Sequence, residues 1–329
     1  MQKLLLIDGN SLFHRAYHAL PPLTDKKGEM ANAVFGFSNM IIKAIGEVKP
    51  THIACAFDTA APTFRHVEFE KYKAQRPAPP PDLYPQLPKV KKVLDAFGIA
   101  YFEMDGYEAD DVLATLATQV LRLKTKDKRL KQKKEFDVVI LSGDRDCLQL
   151  VDGNIKVQAP GWNLKETTLY GAKEVREKYG LETRQMVDYK SLIGDVSDNV
   201  PGIAGIGPKT AAQLLQKYHT LENLFKHIDE QPESIRAKLE AGKDIALAAK
   251  KLVELDRNVD LKFKIENLKF KPNWDQVRAE YEDLGFKSIV SKLPGSKGSE
   301  GTNETDETVS QSQSVKSKTK RNDDQLKLI

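Results

Sequence analysis

Three runs in the first half of the chain are almost continuously apolar: Lys3-Leu4-Leu5-Leu6-Ile7-Asp8, His52-Ile53-Ala54-Cys55-Ala56-Phe57-Asp58 and Asp137-Val138-Val139-Ile140-Leu141-Ser142. A strand with one wet face alternates apolar and polar residues, whereas a strand covered on both faces does not. These runs therefore predict short, buried, parallel strands. Between them apolar positions recur at helical spacing, as in Asn32–Val48 and Tyr84–Phe97. Strands alternating with helices predict an α/β layer fold, a central mostly parallel sheet flanked by helices.

From about residue 181 the strand signals fade and short helical patterns take over, among them Lys209–Tyr218 and Lys243–Leu255. The expected organisation is an α/β domain over residues 1–180 and a helical subdomain over 181–294. Residues 295–329 are dominated by Ser, Thr, Glu, Lys and Gln and hold no aromatic residue, so they are expected to be disordered. Residues 73–88 contain Arg76-Pro77-Ala78-Pro79-Pro80-Pro81-Asp82, which cannot continue a helix. Residues 124–134 hold seven basic side chains and one acid. That block is either a grip on a polyanion or a solvated helix end and loop. No internal repeat stands out.

No stretch of about 18 apolar residues exists, so no membrane span is expected. The N-terminus turns acidic at Asp8, too soon for a signal peptide, and a cytoplasmic location is expected. Cys55 and Cys147 belong to no Cys-x-x-Cys pair, and the six histidines show no paired ligand spacing, which argues against zinc.

The chemistry lies in the acids. In a parallel α/β sheet, sites form beyond the carboxyl ends of the strands. Asp8 and Asp58 end the first two runs, and Asp144 and Asp146 follow the third. One such acid is commonplace as a helix cap or turn residue; three strands all ending in aspartate are not. Glu108-Ala109-Asp110-Asp111 opens a helical run, with Glu108 and Asp111 on one face. Asp195 and Asp198 repeat that spacing before a glycine-rich turn, provided their segment is helical. Nine carboxylates cannot gather ionised without cations. An all-oxygen set without His or Cys suits two Mg²⁺ ions, with Mn²⁺ as a substitute. Setting the nine aside raises the net charge of the remainder from +4 to +13, and the 295–329 tail is neutral, so the rest of the body is basic. A basic body around an acidic pocket suits a polyanionic substrate.

Two segments could hold phosphates. Pro201-Gly202-Ile203-Ala204-Gly205-Ile206-Gly207-Pro208-Lys209-Thr210 resembles a helix–hairpin–helix turn. Gly202, Gly205 and Gly207 would let backbone N–H groups approach a phosphate, and Lys209 and Thr210 open the following helix. The competing reading is a tight connector. Thr63-Phe64-Arg65 and Lys71-Tyr72-Lys73-Ala74-Gln75-Arg76 interleave basic and aromatic residues, as a strand with phosphates and stackable bases requires. The competing reading there is an amphipathic helix with Tyr72 half buried. Arg15, about two turns past Asp8, is a further phosphate candidate.

Over residues 1–290 these motifs together resemble the 5′ nuclease domain of bacterial DNA polymerase I, within the flap endonuclease superfamily. The resemblance rests on Leu6-Ile7-Asp8-Gly9-Asn10, Arg15-Ala16-Tyr17, Phe57-Asp58, Thr63-Phe64-Arg65, Tyr72-Lys73, Glu108 through Asp111, Ser142 through Asp146 and Gly194 through Thr210. It implies a PIN-like 5′ nuclease fold with a helical arch, a two-metal site and a helix–hairpin–helix that holds duplex and a K⁺ ion. It implies hydrolysis of DNA at 5′ ends, nicks and flaps, with RNA primers as further substrates, by a monomer. It assigns Lys73 and Arg76 to the scissile phosphate region, Tyr72 to an aromatic of the arch and Arg15 to a phosphate contact; Arg65 is expected to contact DNA from its basic and aromatic surroundings. An inert DNA-binding module on the same fold would lack the acids, and a PIN-like ribonuclease would lack the hairpin. No polymerase domain follows, so the chain is expected to be either free-standing or a severed domain. The chain ends Gln325-Leu326-Lys327-Leu328-Ile329. An apolar end on a flexible tether fits a partner's pocket, and the segment resembles the peptide by which bacterial replication proteins dock on the sliding clamp. Gln325, Leu326, Leu328 and Ile329 are its expected contacts.

Overall fold

The computed structural model describes residues 2–123, 136–161 and 166–295. Six strands form one sheet: β1 (Gln2–Asp8), β2 (His52–Phe57), β3 (Ala100–Glu103), β4 (Phe136–Leu141), β5 (Ile155–Pro160) and β6 (Thr167–Tyr170). Their spatial order is β3-β2-β1-β4-β5-β6, all parallel except the antiparallel β5–β6 pair. The chain winds outward from β1 to β3, then crosses back to place β4 on β1's other side. That reversal opens a crevice beyond the carboxyl ends of β1 and β4.

The three apolar runs are the central strands. Every residue of β2 is buried, as is Leu4 through Asp8 of β1. Side chains of β1 alternate between two cores. Leu5 and Ile7 face one that includes Leu12, Phe37, Ile41, Leu94 and Tyr281. Leu4 and Leu6 face the other, with Val112, Leu113, Leu116, Leu192 and Leu215.

The helices are α1 (Gly9–Ala19), α2 (Asn32–Val48), α3 (Phe64–Glu68), α4 (Leu87–Phe97), α5 (Ala109–Arg122), α6 (Ala172–Tyr179), α7 (Met186–Ile193), α8 (Pro208–Tyr218), α9 (Leu221–Lys226), α10 (Glu233–Val253), α11 (Trp274–Leu284) and α12 (Lys287–Val290), and all but α3 supply these cores. From α11 the chain returns to the α/β layer: Phe97 of α4 meets the rings of Trp274 and Tyr281 edge-on at 6.0 and 6.2 Å. No helix of the described residues is long and apolar enough to cross a membrane.

The segment that the resemblance assigns to a helical arch contains the five-residue helix α3 and then successive turns from Glu70 to Gln75. Pro77, Pro79, Pro80 and Pro81 follow, and proline neither donates a backbone hydrogen bond nor lets the preceding residue turn helical. Residues 124–134 and 325–329 lie outside the described residues.

Candidate active site at the carboxyl edge of the sheet

Asp8 is both the last residue of β1 and the cap of α1. Its Oδ1 accepts from the Ser11 N–H at 2.9 Å, and its Oδ2 accepts from the Ser142 hydroxyl beyond β4 at 2.6 Å. Burial raises its pKa to about 7 against the pull of those donors, and the charges of Asp58 and Asp144 add to the rise. Asp58, just past β2, accepts from the Asn10 amide at 2.8 Å and from the Ala109 N–H at 2.7 Å. One carboxylate thus pins the starts of α1 and α5 to each other. Burial, then Glu108, raises its pKa too.

At the start of α5, Glu108 accepts from Lys73 Nζ at 2.6 Å and from the Tyr72 hydroxyl at 3.1 Å. Burial, then the charges of Asp111 and Glu108, hold Asp110 well above the usual carboxylate range. Past β4, Asp144 accepts from the Asp146 N–H at 2.8 Å. Asp146 is tied to Lys190 of α7, which also reaches Asp195 at 2.6 Å. Burial would raise Asp195, but Lys190 and Ser197 hold it down to about 2. Asp198 accepts from Arg76 at 2.5 Å and from the Tyr72 hydroxyl at 3.0 Å.

Asp195 and Asp198 are not on a helix. Asp195 and Val200 exchange two backbone hydrogen bonds of 2.8 Å, closing Val196 to Asn199 into a turn. The spacing brings both acids to the edge by a hairpin instead.

Acids from β1, β2, β4, α5 and this turn therefore gather at one edge. Among the described residues, no three acidic, His or Cys side chains stand close enough to hold an ion as placed. Cations of the protein lie between them. Lys73 is the clearest case: burial opposes its charge, yet Glu108 and Asp198 raise its pKa. Lys190 is a member that sequence reading missed. Its position five residues before Asp195 is the only signal, and it needs α7 to be helical to mean anything.

Four expectations are corrected. Arg65 is no surface phosphate contact: it is 1% exposed and bonds Asp111 through both terminal nitrogens at 2.6 and 2.8 Å. Asp111 is correspondingly no free metal ligand. It is fully buried, and its oxygens also accept the N–H groups of Glu108 and Asp256 at 3.2 and 2.8 Å. Tyr72 offers no stacking face, because its ring is buried beside Ala249, Leu252 and Val253 and its hydroxyl is spent on Glu108 and Asp198. Gly202 is glycine for an internal reason: a Cβ there would lie 2.2 Å from the Ile193 carbonyl carbon.

The rest of the hairpin is open. Gly205, Gly207 and Lys209 are exposed, Thr210 is half-buried, and a Cβ on Gly207 would touch nothing within 4 Å. Gly207 is the N-cap of α8, a position that glycine suits. Lys238 Nζ, 3.3 Å from the Gly205 carbonyl, adds a cation beside the turn. On the other flank Arg15 donates to the Gly161 carbonyl at 3.3 Å and lines a cleft with Asp144, Arg145 and Tyr170. Burial, then the neighbouring Arg145, lowers the Arg15 pKa.

Residues 3–180 match the model of the 5′–3′ exonuclease N-terminal resolvase-like domain, and residues 181–276 that of the 5′–3′ exonuclease C-terminal SAM fold. The chain belongs to the 5′–3′ exonuclease family. Within it, the chain is similar to DNA polymerase I of Caldicellulosiruptor bescii, 42% identical over 296 residues that cover 88% of this chain and 33% of that protein. It is 39% identical over 294 residues to DNA polymerase I of Bacillus subtilis, covering 89% and 32%. The chain thus spans about a third of the length of these curated relatives. Among solved structures, T5 5′-exonuclease with bound zinc ions superposes with a TM-score of 0.59 at 19% identity, covering 88% of this chain and 96% of that chain. The catalytic core of Rad2 in complex with DNA substrate gives 0.56 at 17% identity, covering 88% and 91%. At such identity both establish the shared exonuclease fold.

Proposed function

We propose that the protein is a Mg²⁺-dependent 5′–3′ exonuclease and flap endonuclease, acting as a monomer on DNA with 5′ ends, nicks or flaps and on RNA primers. In this reading residues 1–180 carry the chemistry, 181–294 hold duplex, with K⁺ at the hairpin, and 295–329 reach a sliding clamp. The observation that carries it is the delivery of Asp8, Asp58 and Asp144 to one edge by the ends of three adjacent parallel strands. The matched T5 5′-exonuclease binds zinc ions and the matched Rad2 core is in complex with DNA substrate, in accord with this reading.

The donor set fits divalent metal. It is all oxygen, its burial, with neighbouring acids adding to it, raises Asp8, Asp58 and Asp110 together, and it already draws Lys73 and Lys190 inward as counter-charge. Asp8, Asp58, Glu108, Asp110, Asp144, Asp146, Asp195 and Asp198 would hold two ions. Such ions supply Lewis-acid polarisation of a phosphodiester and a nucleophile at neutral pH. The protein's own groups do the rest. Ser142 and Asn10 fix the carboxylates of Asp8 and Asp58. Lys73 and Arg76 can exchange Glu108 and Asp198 for a phosphate, and Arg15 steadies the strand at the rim. Gly205, Gly207, Lys209 and Thr210 hold a duplex phosphate at the start of α8, a contact that carries no sequence information.

Cleavage of end-labelled 5′-flap, nicked and single-stranded DNA, with and without Mg²⁺, tests the reading. Mg²⁺-dependent release of short 5′ products is expected; binding without cleavage under every condition would overturn it. Metal should also stabilise the fold, since it relieves carboxylate repulsion. Mg²⁺ at about 100 times its Kd should raise the melting midpoint by roughly 5–10 °C over EDTA; an unchanged midpoint counts against a shared site. For the tail, deletion of residues 325–329 should leave flap cleavage unchanged and remove stimulation by the cognate clamp, which acts by raising effective concentration. Equal clamp affinity of full-length and truncated proteins by calorimetry refutes that part.

A further inference from the structure

Arg65 is the largest fully buried side chain among the described residues. Burying a charge costs several kcal/mol unless its partners and geometry compensate. Here they do. The guanidinium forks onto both oxygens of Asp111 at 2.6 and 2.8 Å. Its Nε donates to the Leu252 carbonyl at 2.7 Å, and Nη2 donates also to the Glu254 carbonyl at 3.1 Å. Glu108 lies 3.6 Å from Nη1, and the Phe64 ring packs 4.5 Å away. Asp111 in turn fixes the N–H groups of Glu108 and Asp256. Three distant pieces of chain meet on one side chain: the base of the Lys71–Arg76 segment, the first turn of α5, and the exit of α10.

We infer that Arg65 is a positioning residue that locks Glu108 and the first turn of α5 against the helical subdomain, and that it acts on the reaction without touching DNA. This rests on the nuclease reading of the site. The alternative is the phosphate contact that its basic, aromatic surroundings imply. The two roles leave different marks. A phosphate contact contributes to affinity and to its salt dependence. A group that aims a carboxylate contributes to metal binding and to the rate once substrate is bound, because outer partners orient the ligands.

Arg65→Lys keeps the charge but loses the fork; Asp111→Asn keeps the shape but loses the charge. In either variant the single-turnover rate at saturating flap DNA should fall about 100-fold. The Ca²⁺ concentration giving half the thermal stabilisation should rise at least about tenfold. The Kd for flap DNA in Ca²⁺ should stay within about twofold, with an unchanged salt slope. The double variant should be little worse than either single one, since both break the same contact.

If Arg65→Lys instead spares the saturated rate and the Ca²⁺ midpoint but lowers affinity and the salt slope by about one, Arg65 is a phosphate contact and the inference fails. It fails equally if the variants melt lower yet, assayed below their midpoints, keep the unaltered rate and metal requirement. Absence of cleavage by the unaltered protein would sink the nuclease reading alone, leaving the Ca²⁺ midpoints to judge Arg65.

Discussion

Asp8→Asn should lower turnover at saturating flap DNA by about 10³-fold or more, while flap-DNA affinity in Ca²⁺ changes by less than about threefold. Lewis-acid stabilisation of phosphoryl oxygens amounts to several kcal/mol, and each 1.36 kcal/mol is a factor of ten. The substitution is selective because the two local duties of Asp8 survive it. Asparagine caps helices as well as aspartate does, so the bond from the Ser11 N–H persists, and the Ser142 hydroxyl can accept as readily as donate. What disappears is the charge. A carboxyl whose folded pKa rises from 3.8 to about 7 costs nothing below its unfolded value. The cost grows as pH climbs to about 7 and is complete above that. At pH 8 in EDTA, Asp8→Asn should therefore melt at or above the unaltered protein, and Mg²⁺ should stabilise it less. Loss of activity alongside gain of apo stability separates a ligand from a structural residue. Asp144→Asn should lose activity comparably, the Asp146 N–H keeping its acceptor. Near-normal turnover with a normal Mg²⁺ requirement in either variant would remove the strand-end aspartates from the mechanism.

Why those aspartates were legible, and other parts were not, has a physical basis. The central strands β1, β2 and β4 are sandwiched between two cores, and that burial writes an unbroken apolar run. An acid ending each run stands out against it. The strands β3, β5 and β6 carry no such signature. Ala100–Glu103 and Thr167–Tyr170 are four-residue edges with no buried side chain, and Ile155–Pro160 mixes Lys156 and Gln158 among its apolar residues. Thr-Phe-Arg beside Lys-Tyr-Lys has the composition of a phosphate grip and of a buried ion pair alike. The Arg65 side chain was settled inward by carbonyls 187 and 189 residues away, a pairing that no local pattern encodes. Asp195 and Asp198 were paired by a spacing that holds only if their segment is helical, which it is not. A turn closed by Asp195 and Val200 presents both, as one face of a helix would have.

Lys73→Ala and Lys209→Ala should fail in opposite ways. Lys73 adopts an uncommon left-handed backbone, φ 55°, which turns it toward the acids. Its ammonium sits 2.6 Å from Glu108 and 3.8 Å from Asp198, and 4.9 Å from the centre of the Tyr72 ring. A lysine is a mobile point charge, so it can leave Glu108 for a phosphate once metal satisfies the carboxylate. In the proposed reading it stands at the reacting group and matters when charge develops: its loss should lower the saturated rate about 10²–10³-fold, the range for removing one such donor. It is one contact among many to the substrate, so Kd should move by less than about threefold. Lys209 is exposed in the first turn of α8 and makes no ion pair among the described residues. Its replacement should weaken duplex binding several-fold at moderate salt and lower the salt slope by about one. The saturated rate should hold, because nothing at the carboxyl edge depends on it. Arg76→Ala should resemble Lys73→Ala in direction with a smaller rate loss, since Arg76 is half exposed and, besides the Ser197 carbonyl at 3.3 Å, reaches one acid, Asp198 at 2.5 Å. Paired measurements of single-turnover rate and of Kd against salt decide the matter. If Lys209→Ala leaves affinity and salt slope unchanged, the glycine-rich hairpin is a connector, and the grip on duplex must be sought elsewhere in the helical subdomain.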